Sequence, residues 1–147
     1  MFKLTGLIFL SSAIVMLFNK NIYKKYCTYL FLKETVSLLE KMKTGCILGK
    51  TYKSVYDTIN FENFIFYNSF GIYSYHRLLS DEVIKLCDDF FIQAGKRNKK
   101  EELEYLELSV SLFSQEAQKN KDYFDKNKKV HSISSIAIVL VIAIMII

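Results

Sequence analysis

The chain has 147 residues, 51% of them hydrophobic, with 20 Lys/Arg against 15 Asp/Glu for a net charge of +5, three cysteines, five glycines and no proline. That length accommodates one small domain rather than two. The mild positive balance collects beside two apolar ends, and no basic stripe is interleaved with stacking aromatics on a recognisable motif, which argues for attraction to anionic lipid and against nucleic acid as a partner.

Residues 1–18, "MFKLTGLIFLSSAIVMLF", carry one charge, Lys3, close enough to the end to reach lipid headgroups by snorkelling. Phe18, Asn19, Lys20 and Asn21 offer no small-residue cleavage site, so the segment is expected to be an uncleaved N-terminal transmembrane anchor. From Lys20 to Lys43, Tyr23, Cys27, Leu30, Phe31, Leu38 and Met42 recur near a 3.6-residue period and predict a helix continuing out of that anchor. Glu34 is the one acid in step with this apolar side. It must find a basic or hydrogen-bonding partner or lie at the edge of the face, and it is a candidate pairing site for a neighbouring helix.

Gly45 and Gly49 are read as bracketing a turn, followed by a short helix over Lys50 to Asn60 with Tyr52, Val55, Tyr56 and Ile59 on one face. The stretch "FENFIFYNSFGIYSY", Phe61 to Tyr75, has seven aromatics in 15 residues. Its periodicity fits strand or helix, and its helical surroundings favour helix, either as core or as a face for a partner or a membrane. Ser80 with Asp81 and Glu82 marks a helix start, and the helix runs through Val83, Leu86, Cys87, Phe90 and Phe91 to a stop at Gly95. The basic loop Lys96, Arg97, Lys99 and Lys100 then follows as a candidate site for an acidic partner.

From Lys99 onward there is neither Gly nor Pro. Leu103, Leu106, Val110, Phe113, Ala117, Asn120, Phe124 and Asn127 alternate steps of three and four, a helix-pairing stripe. Two partners are open to it: the Lys20–Lys43 helix of the same chain, or a second copy in a homo-oligomer whose register Asn120 and Asn127 would set. Residues 130–147 end in twelve consecutive apolar residues and hold no charge beyond Ser135, so that segment is expected to be a C-terminal transmembrane helix, short against the ~20 residues that cross a bilayer core. Lys20, Lys24, Lys25 and Lys33 follow the first anchor and Lys119, Lys121, Lys126, Lys128 and Lys129 precede the second, which predicts a cytoplasmic central domain, 19–129, held at the cell membrane by both ends.

Chemistry is sparse. Cys27, Cys46 and Cys87 lack metal-ligand spacing and read as buried hydrophobes, His76 and His131 have no evident partner, and Asp88-Asp89 and Glu101-Glu102 read as solvated helix faces. No phosphate-cradling loop, nucleophile motif or metal set is present in the sequence, so no catalytic residue, metal ligand or cofactor is assigned and an enzyme is not expected.

Taken with this order of elements, "KLTGLIFLSSAIVMLF", "LLEKMKTGCILGKTYKSV", "DDFFIQAG" and "EELEYLELSVSLFSQEAQKNKDYFDKNKKV" make the chain resemble the stage III sporulation protein AB family of endospore-forming bacteria over most of its length. The resemblance implies an all-α fold, a type II secretion F-like helical domain between two terminal transmembrane helices. It also implies a platform role in the mother-cell membrane, within the channel linking mother cell and forespore, with a cytoplasmic secretion-type ATPase and other channel proteins as partners. A small membrane adaptor or sensor dimerising through the Leu103 to Asn127 stripe is the alternative.

Overall fold

The computed structural model describes the backbone of residues 2–68 and 78–146, and side chains over 20–68 and 78–130 together with Ile133. All its described elements are helical: α1 (Phe2–Ile47), α2 (Tyr52–Tyr56), a short 3-10 turn (Phe61–Asn63), α3 (Asp81–Gln93) and α4 (Lys99–Ile146). The expected spans, 1–18 and 130–147, lie outside the described side chains apart from Val130 and Ile133. Among the residues that are described, no helix is long and apolar enough to cross a membrane.

Helix α1 runs unbroken through 46 residues, with no proline in it and no glycine between Gly6 and Gly45. Its buried threonines, Thr28 and Thr35, satisfy their hydroxyls within the helix by donating to the carbonyls of Lys24 and Phe31 one turn back. Its buried side is Cys27, Phe31, Leu32, Leu38, Leu39 and Met42, the expected face except that Tyr23 is exposed and Leu30 half-buried. Gly45 is inside this helix rather than at a turn, and only Gly49, at φ +71°, ends it. The amides of Gly49 and Lys50 return to the carbonyls of Cys46 and Gly45, closing the helix end with a left-handed glycine.

Helix α4 is the antiparallel partner of α1. Lys43 meets Glu107 at 2.7 Å, and the rings of Tyr26 and Phe124 lie 4.7 Å apart, so residue numbers of facing pairs sum to about 150 along the hairpin. At 1.5 Å per residue α4 is roughly 70 Å long. It starts where Asn98 caps it, accepting the Glu101 amide on its side chain and the Glu102 amide on its carbonyl.

Helix α2 is shorter than the expected 50–60. After Tyr56 the amides of Thr58 and Ile59 bond three residues back, to Val55 and Tyr56, and the Thr58 hydroxyl also takes the Val55 carbonyl, which halts the α ladder. The aromatic stretch is not an α-helix over its described part, 61–68, and 69–75 lies outside the described residues. Asn60 caps the Glu62 amide, Phe64 is extended at φ −101° and ψ 133°, and the amides of Ile65 and Phe66 are taken by Glu34 of α1 at 2.7 and 2.9 Å. A helix begun at Phe61 would need those two amides for its bonds back to residues 61 and 62.

This segment descends along α1, Phe64 lying against Lys41 and Phe66 and Tyr67 against Phe31. Helix α3 then rises beside α4, where Phe90 packs on Tyr105 and edge-on to Phe113. Gly95, at φ +76°, turns the chain into α4. The core lies between the hairpin and these two covering segments, from Cys27 up to Cys46 on α1 and from Leu106 to Ala117 on α4.

Candidate functional site

The end of the hairpin away from residues 1–18 and 130–147 is built from two adjoining turns. One carries α1 into α2, residues 47–51, and the other carries α3 into α4, residues 94–98. Glu102 joins them from inside. It is 4% exposed, and one carboxylate oxygen accepts the Tyr52 hydroxyl of α2 and, at 2.8 Å, the Gly95 amide of the second turn. Its other oxygen is buried without a hydrogen-bond partner among the described residues. Burial first and the Glu102 hydrogen bond second push the Tyr52 hydroxyl well above its ordinary value, so Tyr52 stays a donor.

The basic loop divides between structural and free cations. Lys99 donates to the Ile47 carbonyl at 2.9 Å, placing its charge at the C-terminal end of α1, where the helix dipole favours it. Arg97 stacks over Tyr105, 3.8 Å from the ring centroid, and donates to the Gln93 carbonyl. Lys96 and Lys100 are exposed and make no ion pair among the described residues. Beside them stand features the sequence did not single out: Lys50 is exposed, and so are Ile47 and Leu48, at 54% and 66%. The sequence placed Ile47 and Leu48 in a turn between Gly45 and Gly49, and no periodicity there marked them as an exposed apolar pair.

The other assigned residues are placed as follows. Glu34 spends both carboxylate oxygens on the loop amides of Ile65 and Phe66, so it is engaged within the chain. Of the stripe on α4, Leu106, Phe113, Ala117 and Asn120 are buried, while Leu103, Val110, Phe124 and Asn127 are half-buried. Asn120 donates to the Glu116 carbonyl at 2.8 Å, and its own amide oxygen is buried without a partner among the described residues. Asn127 donates to the Tyr123 carbonyl. Glu102 contradicts the expectation of a solvated acid: it lies one turn before Leu106 on the buried face, a position the same period would have marked as inward.

The three thiols are held away from solvent. Cys27, Cys46 and Cys87 are buried and unbridged. Burial pushes the Cys87 thiol up to about 12, the Asp88 charge adds to this, and hydrogen bonding to Thr35 and Tyr67 opposes it. Thr35 and Tyr67 share a buried hydrogen bond of 2.7 Å. An open groove of about 470 Å³ lies between Lys33, Ser37 and Lys41 of α1 and Asn60, Asn63 and Phe64. Among the described residues no group of three His, Cys, Asp or Glu side chains is arranged to hold a metal ion. His76 and the side chain of His131 lie outside the described residues.

No protein-family model, characterised protein or solved structure matches this chain.

Proposed function

We propose that the chain is a non-enzymatic membrane platform subunit of a sporulation-associated, secretion-like channel complex between mother cell and forespore, coupling a cytoplasmic secretion-type ATPase to membrane channel proteins. The observation that carries this reading is the antiparallel pairing of α1 with α4. It returns the chain to the end of the hairpin where it began, so that 1–18 and 130–147 leave from one end and the head of the molecule is presented at the other.

The charge pattern supports the same arrangement. Lys20, Lys24 and Lys25 on α1 and Lys121, Lys126, Lys128 and Lys129 on α4 crowd the end next to the apolar segments, where anionic headgroups attract them by about 1 kcal/mol each. Tyr23 and Tyr123, both substantially exposed, stand at that level too, as interfacial tyrosines do. The sporulation context comes from the family resemblance, and the mechanical role from the buried polar groups, which tie segments together instead of meeting a substrate. The adaptor alternative asks the α4 stripe to face a second chain, and that face is occupied by α1 and α3.

Deleting the gene in a spore-forming host should leave vegetative growth unchanged and block spore formation after engulfment, with the full chain remaining in the membrane pellet through carbonate extraction. Normal sporulation in the deletion strain, or release of the chain by carbonate, would overturn the proposal.

A further inference from the structure

We infer that the two turns at the distal end of the hairpin form one docking surface for an acidic protein face with an apolar patch. Ile47 and Leu48 supply its apolar part, and the exposed Lys50 on the same turn and Lys96, Lys99 and Lys100 on and just after the adjoining one supply its positive charge. The Lys99 bond to the Ile47 carbonyl fixes the turns side by side, and the ring of Tyr52 lies within 3.5 Å of where a side chain on Gly95 would begin.

Charge makes the choice of partner. Residues 47–53 and 94–102 carry six Lys/Arg and two acids, and one of those acids, Glu102, is buried in the junction. Two exposed aliphatic side chains beside such charge match an acidic protein surface with an apolar patch, through apolar burial and steering by the lysines. The turn also leaves its apolar pair uncovered. In a helix end of this type the residue after the glycine commonly folds an apolar side chain back on the helix, and here that residue is Lys50, which is exposed.

Lipid is the competing occupant for a basic and apolar patch, and distance disfavours it. Helix α4 runs unbroken from Lys99 past Val130, so the tip stands roughly 45 Å from the apolar segments. Screening at physiological ionic strength acts within about 8 Å. A bilayer entered by the two ends therefore exerts no pull on the tip. A second copy of the same tip would bring like charges together. The inference rests on the platform reading for the bilayer distance alone.

The test uses the full chain in nanodiscs of zwitterionic lipid and, as probe, a fluorescein-labelled amphipathic peptide of glutamates and leucines, followed by anisotropy. Binding should weaken at least about tenfold in Lys96→Glu/Lys100→Glu and in Ile47→Ser/Leu48→Ser, weaken with added salt, and stay at the wild-type level in Lys121→Glu/Lys126→Glu at the opposite end. All the substituted tip positions are exposed, and unchanged helicity and melting establish that each variant is folded. Absence of binding, equal affinity in all variants, or capture of separate phosphatidylserine vesicles that the tip substitutions abolish would overturn the inference. Failure of the platform reading has its own signature, release by carbonate, which leaves peptide binding at the tip unaffected.

Discussion

Replacing Glu102 with alanine removes one acceptor from two donors, the Tyr52 hydroxyl and the Gly95 amide, that belong to different segments. Hydrogen bonds to a charged group contribute about 1.5–3 kcal/mol, and stranded buried donors add to the loss. Glu102→Ala should therefore destabilise the head by roughly 2–4 kcal/mol in urea unfolding, and Glu102→Gln by less, because its amide oxygen still accepts from both donors. Equal losses for the two variants would show that the acceptor is not what holds the turns. Cys87 gives a pH dependence of definite sign. Its thiol is raised from 9.0 to about 12, so the folded state retains the proton that the unfolded state gives up. The stability contribution is full below pH 9.0 and is lost as the pH rises toward 12, with a limiting slope of about 1.4 kcal/mol per pH unit. Between about pH 8 and about pH 10.5 the wild-type melting temperature should fall more than that of Cys87→Ala. Parallel declines would sink the assignment to this thiol.

At the level of elements, the approach of α2 to α1 depends on the missing side chain of Gly45. A β-carbon there would lie 2.0 Å from Val55 Cγ2 and 3.3 Å from its Cβ, and valine, branched at Cβ, has little freedom to turn aside. Gly45→Ala should cost about 1–3 kcal/mol by overpacking. Val55→Ala in the same chain should recover part of that loss, so urea unfolding of the pair should be non-additive. Strict additivity would mean the two sites do not touch. The α1/α4 pairing contains the opposite case in Asn120, whose buried amide oxygen lacks a partner among the described residues. Asn120→Leu should raise the melting temperature, a gain of about 1 kcal/mol or more, because it removes an unsatisfied carbonyl from an apolar interface. A lower melting temperature would reveal a partner for that oxygen. The helix periods of α1, α3 and α4 were legible in the chain because each helix buries one continuous side. The described part of the aromatic stretch, 61–68, was not, because its amides at Ile65 and Phe66 are taken by Glu34, 31 residues away from Ile65 in the chain.

For the whole molecule, the decisive property is that the stripe on α4 and the apolar side of α1 satisfy each other. With Tyr26→Cys and Phe124→Cys introduced where the two rings now lie 4.7 Å apart, a short bismaleimide should give a faster-migrating monomer in membranes. A covalent dimer as the main product would favour pairing between chains and with it the adaptor reading. The candidate basic loop was half-legible on the same account. Composition located its cations, but two of the four, Arg97 and Lys99, are engaged by Tyr105 and by the end of α1, and the apolar half of the surface arrives from another turn.

Periodicity, the absence of proline and the placing of Gly49 and Gly95 were enough by themselves to define a helical chain whose two long helices, α1 and α4, and the shorter α3 fall where expected, because those signals act through neighbours three or four residues apart. Tertiary structure alone decided what Glu34 and Glu102 bond to, which lysines remain free, and that α1 covers the stripe. Those outcomes depend on groups brought together from distant positions, Glu102 with Tyr52 and Gly95, Glu34 with Ile65 and Phe66, Lys99 with Ile47, and no local spacing encodes them.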